Sequence, residues 1–144
     1  MRISSADQML GFASDFARSL HGGEVIALRG ELGAGKTVFV KGLARGLGIA
    51  ENVTSPTFTL MEMHNGRKLT LCHYDAYRLG SFAEAEEAGL TEYFGRPDCV
   101  CAVEWADNLG EEFSRLTTFT VEITITGENE REINVFDKQT ACHA

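Results

Sequence analysis

The run Gly30-Glu31-Leu32-Gly33-Ala34-Gly35-Lys36-Thr37 has the spacing G-x4-G-K-[ST], and each residue type in it suits a phosphate. Glycines let successive backbone N–H groups curl around anionic oxygens with no Cβ in the way. A helix starting at the lysine adds the partial positive charge of its N-terminus. A lysine at position 36 can reach the β and γ phosphates of a nucleoside triphosphate, and the Thr37 hydroxyl can ligate magnesium. Gly30, Gly33, Ala34, Gly35, Lys36, Thr37 and Val38 are therefore the candidate nucleotide-binding residues, with Lys36 also a candidate catalytic group. ATP and Mg2+ are the expected cofactors.

Such a site needs an acidic residue delivered by a nearby strand to hold the metal. Cys99-Val-Cys-Ala-Val103 is an apolar run ending in Glu104, which makes Glu104 the second candidate metal ligand beside Thr37; the alternative is a cap on the next helical turn. Asp75 ends another strand-like run, and alternation places Leu69, Leu71, His73 and Asp75 on one face. Asp75 could orient an attacking water or hold a metal-bound one. An ion pair with Arg78 or a turn cap is the competing reading. His73 reads as an ordinary strand residue, and Trp105 as packing against the sheet close to the site. Thr54-Ser55-Pro56-Thr57 lies where P-loop proteins often carry a hydroxyl that senses the γ-phosphate, so Thr57 joins the nucleotide-binding candidates; a proline turn entering a strand is its alternative.

The elements that must hold these residues are legible in outline. Ser5-Ala-Asp-Gln8 reads as a capping box. It opens a helix with the stripe Met9, Phe12, Ala13, Phe16, Ala17 and Leu20, ended by Gly22-Gly23. Val25–Leu28 is a short unbroken apolar run, the pattern of a strand buried on both faces. A second helix is expected from about Lys36 to Leu47, closed by Gly48. Strands at 57–63 and 68–75 flank Asn65-Gly66, a hairpin signal. Residues 81–94 read as one or two helical pieces, and 117–126 with 131–136 as a second hairpin with one buried and one wet face. The expected architecture is α/β: a single P-loop NTPase domain over residues 1–144, with a central mixed β-sheet flanked by helices.

Composition narrows the partners. The chain has 144 residues, with 13 basic against 21 acidic side chains and a formal charge of −8. Nucleic-acid binders draw most of their affinity from phosphate neutralisation, and the basic residues here look scattered while Glu84, Glu86, Glu87 and Glu92 crowd together. Any RNA is expected to be held by a partner. No apolar run approaches the roughly 20 residues that span a bilayer, the N-terminus lacks a secretory apolar region, and a cytoplasmic, membrane-free location is expected. Cys99 and Cys101 have the wrong spacing for a CxxC pair and read as small core hydrophobes.

Taken in order, the phosphate loop, Ser55-Pro-Thr-Phe-Thr59, Tyr74-Asp-Ala-Tyr-Arg-Leu79, the segment 84–94 and Val103-Glu-Trp105 resemble the TsaE family over nearly the whole chain. Val38 and Ala106 are minor departures. The resemblance implies an ATPase required for threonylcarbamoyl-adenosine formation in tRNA, working with TsaB and TsaD subunits and reaching tRNA only through that complex. It implies Thr37 and Glu104 as magnesium ligands, Asp75 as the hydrolysis-linked carboxylate and Thr57 as the hydroxyl of the Ser-Pro-Thr segment. The rivals are a small-molecule or nucleoside kinase, which needs a second basic cluster, and an assembly module that binds ATP and hardly hydrolyses it.

Overall fold

The computed structural model describes residues 1–31, 33–50, 53–54 and 60–137. Along the chain run β1 (Arg2–Ile3), α1 (Ala6–Ala17), β2 (Val25–Arg29), α2 (Lys36–Gly46), β3 (Met61–Asn65), β4 (Thr70–Asp75), α3 (Phe82–Glu87), β5 (Cys99–Glu104), α4 (Gly110–Ser114), β6 (Phe119–Ile125) and β7 (Arg131–Asp137). Short 3-10 turns cover Leu90–Tyr93 and Ala106–Leu109. The strands join one sheet in the order β1-β7-β6-β2-β5-β4-β3. Its centre, β6-β2-β5-β4, is parallel, and the flanking pairs are antiparallel. This is the expected mixed sheet, with a hairpin on each side of the P-loop strand.

The central strands are apolar without interruption because both of their faces are covered. Ile26, Leu28, Leu71, Val100, Ala102, Val121 and Ile123 pack under α1 and α2. Val25, Ala27, Cys72, Cys99, Cys101 and Val103 face Phe82, Leu90, Leu109 and Phe113 on the other side. Cys99 and Cys101 thus fill core positions as expected, and Cys72 joins them there. Burial pushes the Cys99 thiol up to about 12, and the Cys101 hydrogen bond with burial pushes Cys72 higher still. Such thiols stay protonated and inert. Cys142 lies outside the described residues.

Ser5 Oγ caps α1 by accepting from Gln8 N–H at 3.1 Å, while the Gln8 side-chain Oε1 accepts from Ser4 N–H at 2.7 Å. The box therefore closes one residue further back than its usual form. Three boundaries differ from the sequence reading. First, α1 stops at Ala17 and not at the glycine pair. Ser19 and Leu20 N–H groups turn back to Phe16 and Ala17 carbonyls, tightening the last turn. Leu20 stays buried beyond the helix, and Gly22 serves a close approach: a Cβ there would lie 1.9 Å from the Pro97 carbonyl oxygen.

Second, the β3–β4 connection has four residues, since Asn65 pairs with Thr70. Gly66 is not in the left-handed region that a tight Asn-Gly turn demands. A Cβ on it would sit 2.5 Å from the Leu47 carbonyl oxygen, which accepts from Arg67 N–H at 3.0 Å. The glycine lets the hairpin dock on the end of α2. Third, β1 is too short to show alternation in sequence. It exists because β7 pairs with it and Ile3 is 1% exposed.

Helices α1 and α2 meet backbone to backbone. A Cβ on Gly42 would lie 2.5 Å from Ala13 Cβ and 2.7 Å from the Leu10 carbonyl oxygen, whereas one on Gly11 meets nothing within 4 Å. Gly42→Ala is expected to destabilise by about 1–3 kcal/mol through overpacking, outweighing its gain in helix propensity. Gly11→Ala, on the free face of α1, is expected to stabilise by about 1 kcal/mol. Chemical denaturation of the two variants checks the pair, and equal signs would refute the packing account.

Candidate functional site

Strands β2, β5 and β4 run parallel, so their C-terminal ends open on one edge, where ligands of open α/β sheets collect. After β2 the chain turns through the glycine loop into α2. Gly33 and Gly35 take φ of +81° and +112°, conformations that L side chains rarely adopt. Gly30 is a close approach, since a Cβ there would lie 2.7 Å from the Ile123 carbonyl oxygen. Gly35 precedes α2 and supplies no side-chain cap, so the first N–H groups of α2 lack an intrahelical partner and face the loop's concavity.

Lys36 is 5% exposed. Its ammonium donates to the Gly30 carbonyl at 2.7 Å and lies 3.7 Å from the centroid of the Trp105 ring. Burial holds its pKa below the usual lysine value, against the opposing pull of Glu104, Asp75 and Asp107. Trp105 therefore does more than pack on the sheet: its face meets the P-loop lysine, an arrangement favoured by the ring quadrupole. A left-handed backbone at φ +59° turns it there, with Tyr77 edge-on at 5.0 Å.

Glu104 ends β5 at 4% exposure. Its Oε2 lies 3.4 Å from Thr37 Oγ1, so the two residues singled out as metal ligands are brought together from 67 positions apart. It also lies 2.5 Å from His73 Nε2. Among the described residues no cluster of three or more His, Cys, Asp or Glu could cage a metal. Magnesium needs no such cage, because it keeps waters and phosphate oxygens and takes one or two protein oxygens. A hydroxyl and a carboxylate at 3.4 Å fit that hard-cation chemistry.

Asp75 is the register partner of Glu104 on the neighbouring strand. Its Oδ1 accepts from Tyr77 N–H at 2.9 Å, the turn contact expected as an alternative, and no ion pair with Arg78 is present among the described residues. The turn fixes the carboxylate at the site's edge, close enough to Lys36 to oppose the fall in its pKa. Thr57, with residues 55–59, lies outside the described residues.

Two contributors were not evident from sequence. His73 reads in sequence as an ordinary strand residue, yet it is wholly buried against Glu104. Its place on the Asp75 face was the available signal. Arg131, at the start of β7, donates to the Ala34 carbonyl from Nε at 3.1 Å and to Gly33 from Nη2 at 3.3 Å. Its Nη1 reaches the Gly127 and Glu130 carbonyls, so one guanidinium ties the phosphate loop to the last hairpin. A cavity of about 450 Å³ opens there, lined by Ser5, Met9, Gly35, Val38 and Arg131. The basic residues are also less scattered than the sequence suggests: Arg18, Arg45, Arg67 and Lys68 line one cleft at the far end of α2. Arg45 there lies in the last turn of α2 and complements its C-terminus, while Arg18 pairs with Asp15 at 3.1 Å.

The comparison with known proteins agrees with this geometry. The model of the family described as "Threonylcarbamoyl adenosine biosynthesis protein TsaE" matches residues 3–133. The chain belongs to the TsaE family. It is 42% identical over 132 residues to a tRNA threonylcarbamoyladenosine biosynthesis protein TsaE from Treponema pallidum, covering 91% of this chain and 95% of that one. The TsaE protein of Bacillus subtilis is 46% identical over 111 residues, covering 77% and 68%. The crystal structure of Bacillus subtilis YdiB superposes with a TM-score of 0.74 at 32% identity, covering 99% of this chain and 90% of that one. The resemblance to TsaE and the P-loop α/β fold are thereby established. Among the described residues no helix is long and apolar enough to cross a membrane.

Because four carbonyls converge on one guanidinium, Arg131→Met is expected to lower stability by about 1 kcal/mol, the cost of losing charge-assisted bonds to acceptors that are at most half-buried. Arg131→Lys should recover little, since one ammonium cannot span both segments. Denaturation midpoints of the three proteins check this, and a wild-type midpoint for the Met variant would remove the clamp from the account.

Proposed function

We propose that this chain binds ATP with Mg2+ at the glycine loop and hydrolyses it slowly in support of tRNA threonylcarbamoyladenosine biosynthesis. The observation that carries this reading is the meeting of Thr37 Oγ1 with Glu104 Oε2 at 3.4 Å, beside the buried Lys36 ammonium. Backbone N–H groups of the loop and of the start of α2 cradle the phosphates, and Lys36 supplies the charge-assisted contact. Thr37 and Glu104 would hold magnesium, which neutralises charge on the transferring phosphoryl group. Asp75, oriented by the Tyr77 N–H, holds the attacking water. Water oxygen bonds to the γ-phosphorus as the bond to the bridging oxygen breaks; one water proton stays on the released phosphate and the other leaves to solvent, giving ADP and phosphate. The cavity beside Val38 and Arg131 adjoins Gly33, Ala34 and Gly35 of the loop, and we place the ribose and base there.

Support for the pathway comes from family membership and from relatives named for it. We place the chain with TsaB- and TsaD-like partners, which hold the tRNA, in keeping with the formal charge of −8. A kinase reading is less favoured. Of the basic residues around the pocket beside Trp105, Arg29 is paired with Asp107 at 2.9 Å and with Glu122.

Phosphate release is expected to depend on Mg2+ and to fall at least about tenfold, a loss of about 1.4 kcal/mol of transition-state stabilisation, in Thr37→Ala and Glu104→Gln. Wild-type rates and magnesium titrations in both variants would overturn the assignment. Asp75→Asn separates chemistry from binding. It is expected to bind ATP nearly normally by calorimetry yet turn over about tenfold more slowly in single-turnover assays. Equal losses of affinity and rate would leave Asp75 a turn residue only.

A further inference from the structure

We propose that His73 is a positioning residue for the magnesium site, holding the Glu104 carboxylate toward Thr37 through an Nε2–H hydrogen bond. The inference rests on the reading of Glu104 as a metal ligand and deepens it. Both side chains are withdrawn from water, His73 at 0% and Glu104 at 4% exposure, so the carboxylate must find its donors within the protein. Thr37 Oγ1 lies at the long distance of 3.4 Å, whereas His73 Nε2 lies at 2.5 Å from the same oxygen. The bond that anchors Glu104 thus acts on the oxygen that faces the hydroxyl ligand.

The alternative is that His73 merely fills the core. Its neighbours on that sheet face, Leu71, Val100 and Ala102, are apolar and fully buried. An ionised carboxylate only accepts, so Nε2 carries a proton in this bond. The other ring nitrogen, Nδ1, is buried with no hydrogen-bond partner among the described residues. A methionine or leucine would fill the volume without an orphaned polar atom, so a filler histidine carries a penalty and no return. The ring earns its place only through Glu104. Strand register makes this possible: His73 pairs with Ala102 and Asp75 with Glu104, so the Glu104 side chain leans back one step along the sheet to meet the imidazole. Ligating carboxylates are commonly held by such outer hydrogen bonds, whose loss costs about 10–100-fold in metal affinity.

The test compares His73→Met, which keeps bulk but no donor, with His73→Gln, whose amide N–H can take the place of Nε2–H. Binding of a non-hydrolysable ATP analogue is followed by calorimetry in EDTA and across a Mg2+ titration, with thermal melts as the folding control. His73→Met is expected to bind the analogue normally in EDTA but to need about tenfold or more Mg2+ for the metal-dependent gain, and His73→Gln to stay within about threefold of wild type. Adding His73→Met to Glu104→Gln should change the Mg2+ dependence no further. A wild-type Mg2+ titration in His73→Met, while Glu104→Gln shifts it, would overturn the positioning role and leave the site reading intact. No Mg2+ dependence in the wild type, or none lost in Glu104→Gln, would instead overturn the site reading. Should His73→Met fail to fold, His73→Asn decides, because its shorter amide stops short of Glu104; Asn and Gln variants behaving alike would defeat the proposal.

Discussion

Parallel pairing of β5 between β2 and β4 is the constraint on which the rest of the site depends. It sets Glu104 beside Leu28 and Asp75, so that the end of β2, from which the glycine loop departs, stands next to the two carboxylates. Side chains alternate along a strand, so a slip of one residue would turn Glu104 into the layer of Val103 and Cys101 and send a valine toward Thr37. The apolar filling of both faces therefore does more than stabilise the sheet. It specifies the register, and the register places the charge.

The second layer of control is electrostatic. Lys36 is a buried cation surrounded by carboxylates, and burial outweighs them in its effect on the ammonium. Its present partners, a carbonyl and an indole face, are weak compared with an ionised phosphate. The site is thus built with unmet demand for negative charge at the lysine and for positive charge at Glu104, whose own described partners are a histidine and a distant hydroxyl. The triphosphate with magnesium proposed above would answer both demands at once, which is why these residues support one functional reading and not two separate ones.

Rigidity comes from contacts far from the chemistry. The glycine faces of α1 and α2 bring the P-loop helix close against its neighbour, and Arg131 ties Gly33 and Ala34 to the hairpin on the other flank. Left-handed glycines make the loop possible but do not hold it. The guanidinium and the helix packing limit where its backbone can go, so the donors that the proposed nucleotide would meet are arranged in advance.

Sequence by itself determined the phosphate loop, the buried strand ending at Glu104, the capped helices and the two hairpins, because each is written in spacing or periodicity within a dozen residues. It also determined the family, through short segments in a fixed order. Only the tertiary structure decided which side chains meet. His73 and Glu104 are 31 positions apart, and Arg131 and Ala34 are 97 apart; no local pattern encodes a distance between them. The early end of α1, the role of Gly66 as a close approach and the turn that lays Trp105 on Lys36 were hidden for the same reason. Each is chosen by packing against a segment remote in the chain, and packing energy exceeds the local preferences that a sequence displays.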